Sequence, residues 1–229
     1  MSLGPTQIAP PPWKLTGNGY VFLFRFSKVF VQEQGFLDDF QKSAYKHGLL
    51  GLGTVMFLDY TTSNVGPYRE LLFVPGKFDF SKASIKTWGV SKIYVSSYNS
   101  VWNGRENWGI PKELADFNIQ KISEREEIIE VKTNNEVFFK ARLKKGDFNF
   151  PVTTKFFPLK LAQKLHNDLL ITHLSTNGKA SFAKLSGIKV NSQYFPDISQ
   201  AKLLAIVSIK NFKMTFPFPK VINDYFKKR

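Results

Sequence analysis

Residues 20–31, YVFLFRFSKVFV, put an aromatic or aliphatic side chain at nearly every position and a period of two on the whole. Phe22, Phe24 and Phe26 fall on one face, Leu23, Arg25 and Ser27 on the other. A pleated strand holds such a set on one face, and a helix scatters it. The pattern predicts a strand over 20–31 and recurs in GTVMFLDY (53–60), RELLFVPG (69–76), VSKIYVSSY (90–98) and KLLAIVSIKNFKMTF (202–216). TTSNVGP (61–67) is turn-rich and links the second and third of these. Residues 126–145 read as a hairpin turning at Asn134-Asn135, and residues 169–190 as another turning at Asn177-Gly178.

Helical spacing is rarer. Phe36, Phe40 and Ala44 recur at i, i+4 and i+8 within residues 32–48 and stop at Gly48, which predicts one amphipathic helix. A short terminal helix is expected over 219–228, with Pro219 at its start. LKLAQKLHNDL (159–169) fits either helix or strand. The expectation is a single domain over 1–229, mainly β with a minor helical part, built on a curled antiparallel sheet. Residues 1–12 form an extended or disordered entry segment.

Charge points outward but not to a particular partner. The net charge is +14, yet the lysines are scattered singly, apart from Lys144-Lys145 and the terminal Lys227-Lys228-Arg229. A solvated basic surface fits this better than a nucleic-acid tract, and aromatic side chains that alternate inward suit a core better than a stacking platform. No run of apolar residues is long enough to span a bilayer, so no membrane partner is expected. The absence of cysteine suits a reducing, cytoplasmic setting. His47, His166 and His173 fall on different elements, without carboxylates at ligand spacing, so no metal is expected. GLLGLG (48–53) leads into a strand and not into a helix N-terminus, so it does not cradle phosphate.

Lysine chemistry is what remains. GRENWGIPKELADF (104–117) presents Lys112 beside Trp102, Trp108 and Ile110. A free amine, with a pKa of about 10.4, is almost wholly protonated at neutral pH. Burial disfavours the ammonium and can make the amine a nucleophile toward a ketone. The alternative at this stage is a lysine that snorkels to water past two core tryptophans.

The same stretch resembles the signature of the acetoacetate decarboxylase superfamily: Gly-Arg-Glu, a gap of four residues, Pro-Lys, and a leucine two residues beyond. Here these are Gly104, Arg105, Glu106, Pro111, Lys112 and Leu114. VGPYREL (65–71), APPPWKLTGNGYVFLFR (9–25) and FPFPKVINDYF (216–226) extend the resemblance nearly end to end. It implies a cone-like, partly closed β-barrel, commonly a homo-oligomer, acting on a small keto acid or ketone without a cofactor. It also implies that Lys112 is the Schiff-base residue and Glu70 the acid/base carboxylate. The lysine of acetoacetate decarboxylase is itself the general example of such activation, so the mechanism enters with the resemblance.

Tyr20, Phe22, Tyr68, Trp102 and Trp108 are then expected as walls of a dry pocket. Arg105 is a candidate substrate contact, or else half of an ion pair with Glu106 that holds the turn. Two positions depart from the family pattern. Glu113 stands where the decarboxylases carry a second lysine, and Asn18 where an arginine precedes the first strand's tyrosine. Decarboxylation, aldol or dehydration chemistry, and a catalytically silent binding protein for small apolar ligands therefore all stay open.

Overall fold

The aromatic alternation at the start of the chain lies in a 13-residue strand, Trp13–Arg25. It is antiparallel to Lys202–Phe216 on one side and to Leu52–Thr62 on the other. Beyond Leu52–Thr62 the sheet continues through Tyr68–Val74 and Lys92–Val95 to a three-residue edge strand, Lys112–Leu114, which runs parallel to its neighbour. Beyond Lys202–Phe216 comes Asp168–Val190, a single strand of 23 residues. That length lets it also pair with Glu136–Lys145, Phe150–Thr153, Leu159–Leu165 and Lys220–Ile222. The sheet then curls round through Ile85–Trp88 and Lys77–Phe80 to Tyr45–Lys46. The protein is thus mainly β, a curled antiparallel sheet that forms a partly closed, cone-like β-barrel with a few short helices. These coordinates are a computed structural model that describes residues 4–155 and 159–227.

Alternate residues of the curled sheet face two different interiors. Tyr20, Phe22, Phe24, Val55, Phe57, Leu71 and Phe73 look into one core, rich in phenylalanine. Trp13, Leu15, Leu58, Tyr60, Tyr68, Leu72 and Val74 look into the other. Because both faces of the central strands are covered, their sequences read as near-continuous apolar runs, with Tyr20, Phe22 and Phe24 of the first strand gathered on one face.

Several local expectations are corrected. The strand over 20–31 ends at Arg25, because Ser27 accepts the Phe30 N–H and caps a short helix, Lys28–Gln34. The single helix expected over 32–48 is broken. Gly35 ends the first helix, and Asp38 starts another, Asp39–Ala44, through a reciprocal capping box with Gln41. No hairpin turns at Asn177-Gly178. The register shifts there against Lys202–Phe216 and the strand runs on. Residues 219–227 hold the strand Lys220–Ile222 and a turn in place of a helix. By contrast, Asn134 and Asn135 both adopt positive φ and turn the hairpin between Glu126–Thr133 and Glu136–Lys145. Residues 159–169 resolve into a strand, Leu159–Leu165, and a turn at His166.

In residues 4–12, which bend at Thr6 and Pro11, the Ala9 N–H is held by Asn103 and the Thr6 N–H by Asn99. Residues 1–3 of the entry segment, and Lys228 and Arg229 of the basic terminus, lie outside the described residues. Among those described, no helix is long and apolar enough to cross a membrane.

Candidate active site

The longest helix, Tyr98–Trp108, leads directly to Lys112. Ser97 caps its start by accepting the Ser100 N–H. Gly109 ends it in the left-handed conformation (φ 66°), where a side chain is strained. The chain then turns back through Ile110 and Pro111 and lays Lys112 along the helix that preceded it. Ser100, Gly104 and Trp108 share one helix face at i, i+4 and i+8, and that face receives the lysine. Gly104 leaves room for its stem: a Cβ there would come within 2.6 Å of Lys112 Cδ. Arg105 fixes the backbone, its Nε donating to the Lys112 carbonyl at 2.8 Å.

The amine ends in a closed polar knot. Lys112 is 4% exposed and Glu70 6%. Lys112 Nζ lies 3.0 Å from Glu70 Oε2, and it donates to Ser100 Oγ at 3.0 Å and to the Tyr68 hydroxyl at 3.4 Å. An ammonium has three protons to place, and three acceptors meet it here. On the far side of the carboxylate, the Tyr60 hydroxyl donates to Glu70 Oε1 at 3.3 Å. Tyr60 and Tyr68 are stacked obliquely, with ring centroids 4.6 Å apart.

Burial and charge oppose one another at the amine. Burial disfavours the ammonium, but the Glu70 carboxylate and, after it, Tyr68 outweigh burial and hold Lys112 above its ordinary pKa. The tyrosines respond to the same balance. Burial pushes the Tyr68 hydroxyl up to about 12, against the pull of Lys112. Burial and then the Glu70 charge hold Tyr60 well above its usual value. Both phenols therefore stay protonated around a lysine–carboxylate ion pair.

Around the pair is a small cavity of about 30 Å³, walled by Trp13, Leu15, Trp108, Ile110 and Phe216 among others. That is room for one or two waters. It adjoins a larger apolar cavity of about 530 Å³, and the two share Tyr60, Glu70, Leu72, Leu161 and Phe216 as walls.

Of the residues singled out in the sequence, Lys112, Glu70, Tyr68 and Trp108 converge here. Trp108 packs edge-on against both Trp13 and Phe216 and donates its indole N–H to the Pro217 carbonyl at 2.8 Å. Tyr20 and Phe22 do not converge, because they project from the opposite face of their strand into the phenylalanine core. Tyr20 instead donates to Glu127 at 2.8 Å. Trp102 is half-buried and is not among the residues lining the Lys112 cavity. Arg105 is exposed, touches Lys112 through the backbone, and makes no ion pair with Glu106 among the described residues. Arg69 faces away from Glu70, paired with Asp59 at 3.1 Å. Asn18 accepts the Asn211 N–H on the far face of the sheet. Glu113, one residue along the edge strand from Lys112, points the other way and pairs with Lys92 at 2.6 Å.

Sequence reasoning missed Ser100, Tyr60 and Trp13, as well as the helix that carries Ser100. The helix was detectable from Ser97 and Gly109 as caps around Val101, Gly104 and Trp108. Gly104 yields a direct test. Gly104→Ala favours the helix by about 1 kcal/mol, but it pushes the flexible lysine stem aside. Overpacking a closed site costs about 1–3 kcal/mol, so thermal stability should hold or fall, while reactivity of the Lys112 amine toward carbonyl compounds falls at least about tenfold. Unchanged reactivity at Lys112, measured by adduct mapping, contradicts this packing.

The curled barrel thus closes over a lysine and a carboxylate whose side-chain partners are Ser100, Tyr60 and Tyr68. This chain belongs to the acetoacetate decarboxylase family, whose model matches residues 46–204. Solved structures share the whole fold. An acetoacetate decarboxylase from Legionella pneumophila is 16% identical, with a TM-score of 0.70, over 98% of this chain and 94% of that one. The enduracididine biosynthesis enzyme MppR, solved with pyruvate, is 14% identical with a TM-score of 0.68, over 98% and 97%. An acetoacetate decarboxylase-like enzyme from Sphingomonas wittichii is 11% identical with a TM-score of 0.66, over 97% and 98%. At these identities the likeness is one of fold. No curated protein matches the chain.

Proposed function

We propose that the protein is a Schiff-base enzyme that acts on a ketone or β-keto acid through Lys112, with Glu70 as acid and base. The observation that carries this reading is the buried Lys112–Glu70 contact at 3.0 Å beside an apolar cavity. Glu70 takes a proton from the Lys112 ammonium. The free amine adds to the substrate carbonyl carbon, and the oxygen takes one proton from the amine and one back from Glu70 and leaves as water to give an iminium. With a β-keto acid, the bond to the carboxylate then breaks. Carbon dioxide departs, and its bonding pair neutralises the iminium as an enamine. Glu70 takes up a proton from solvent and delivers it to the enamine carbon, and water then hydrolyses the restored iminium, which releases a ketone and regenerates the Lys112 ammonium.

A second reading is supported by one observation. Among the described residues that line the two cavities, Lys112 is the only cation. A substrate carboxylate would enter without a further positive partner, and an unpaired buried charge is costly. That favours chemistry on a neutral carbonyl compound, of aldol or dehydration type, over loss of carbon dioxide. MppR, which shares this fold, has been solved with the condensation product of pyruvate and imidazole 4-carboxaldehyde; pyruvate carries a carboxylate, so that structure supports the condensation chemistry and not the neutral substrate. A cytoplasmic homo-oligomer is part of the same proposal, and light scattering reports its size.

The test is chemical trapping. Incubation with acetoacetate or acetylacetone, then borohydride, should leave one reduced adduct, at Lys112, by peptide mass spectrometry. Adducts spread over surface lysines with Lys112 untouched would overturn the reading. Carbon dioxide release from acetoacetate separates the two forms of it.

A further inference from the structure

The larger cavity is out of proportion to a four-carbon keto acid. Cavities of about 300–1,000 Å³ take drug-sized ligands, and this one holds about 530 Å³. Its walls include Leu23, Leu72, Val74, Trp88, Leu161 and Leu174, and Glu70 is the one ionisable carboxylate among them. Its shape follows from the sheet. Leu52, Thr54, Met56, Leu58 and Tyr60 line it in succession, every second residue of one strand. At about 3.4 Å per residue, the cavity follows about 27 Å of that strand. Spread along about 27 Å of strand, 530 Å³ makes a slot and not a bowl.

One end of the slot is the reacting centre. Leu58 is paired with Glu70 and Tyr60 with Tyr68, whereas Thr54 is paired with Val74 at the other end. From Leu58 to Leu52 the slot runs on for about 20 Å beyond the carboxylate.

Building on the Schiff-base reading above, we infer that the substrate is a carbonyl compound bearing an unbranched alkyl chain, which lies in this slot while its carbonyl meets Lys112. The slot offers an alkyl chain an almost wholly apolar wall: apart from Glu70 and Tyr60 at the reacting end, its side-chain oxygen is the Thr54 hydroxyl, and it offers a charged tail no counter-ion. Each methylene moved from water to such a wall improves binding about fourfold.

The wild-type protein and a homologous series of methyl ketones test this. Acetone, hexan-2-one and decan-2-one are each titrated, reduced with borohydride, and scored for adduct at Lys112. The half-saturating concentration should fall about fourfold per added methylene until the slot is full. Thr54→Phe, which narrows the distant end, should make the gain level off at a shorter chain; circular dichroism checks its fold. Equal half-saturation for acetone and decan-2-one overturns the inference and leaves the Schiff-base reading standing. So does a chain-length dependence that Thr54→Phe leaves unaltered in a folded protein. If no ketone is trapped at Lys112, the Schiff-base reading falls instead. Calorimetric titration with propan-2-ol and decan-2-ol, which form no imine, then decides the slot alone. The same fourfold gain per methylene keeps it, and equal affinities remove it.

Discussion

Lys112→Met is expected to abolish both imine trapping and turnover, with activity falling to the background of the assay. Methionine matches the lysine stem in length and fills the groove over Gly104, so the shape of the site survives while the nucleophile is lost. Nothing else among the described cavity-lining residues is an amine. The same substitution carries a stability signature. It leaves Glu70 buried at 6% exposure without its cation, and breaking a buried ion pair from one side costs about 3–5 kcal/mol. The double variant Lys112→Met/Glu70→Gln removes both charges and should recover most of that loss. Chemical denaturation of the four proteins measures the coupling. A double variant no more stable than the single one would mean that the pair is not the unit described. The pH dependence has a definite sign. The folded pKa of Lys112 lies above its ordinary value, so the pair's contribution is fully present below about pH 10 and is lost as pH rises through the folded value.

Much of this was legible in the chain because the relevant signals are local. Alternating phenylalanines made the first strand and its neighbours readable, and Asn134-Asn135 announced their hairpin through backbone conformations that few residues tolerate. Pro111-Lys112 and Glu70 were found as short motifs. What was misread depended on partners distant in sequence. Tyr20 and Phe22 were assigned to the pocket because they are aromatic and near the first strand's entry, but which face of a doubly buried strand meets Lys112 is decided by the curl of the sheet. Trp13 and Leu15, on the other face of that strand, are the ones that line the site. Asn177-Gly178 resembles a hairpin turn, yet Lys202–Phe216 supplies enough pairing on both sides of it to keep one strand continuous. The helix Tyr98–Trp108 was overlooked because its buried face holds Ser100, Asn103 and Gly104, which hydrophobic periodicity does not register. Those are the residues that seat the lysine and the entry segment. Glu113, which departs from the family pattern, does not reach the amine, because strand alternation turns it away from Lys112 and Lys92 pairs with it.

Glu70→Gln separates the two roles of the carboxylate, and it should move trapping and turnover in different directions. In the native protein Glu70 holds Lys112 as an ammonium, with its pKa above the ordinary value. The amine is nucleophilic only once that proton has gone. Glutamine keeps the shape of the side chain and can still accept from Tyr60, but it carries no charge to favour the ammonium. Burial, the largest influence at Lys112, then acts unopposed by its main partner and lowers the pKa. Imine trapping at Lys112 should therefore survive, and its onset on the pH axis should move to lower pH than in the wild type. Turnover should go the other way. An enamine must take a proton at carbon from an acid within hydrogen-bond reach, and glutamine has none to give at an accessible pKa, so the rate should fall about 10²-fold or more. Tyr60 and Tyr68 do not replace it, because burial holds both phenols protonated and poorly acidic. A trapping profile that shifts to higher pH would show that the carboxylate does not govern the lysine, and normal turnover would remove Glu70 as the acid. A fall in turnover together with easier trapping is the pattern that only a carboxylate serving both as proton store and as counter-ion produces.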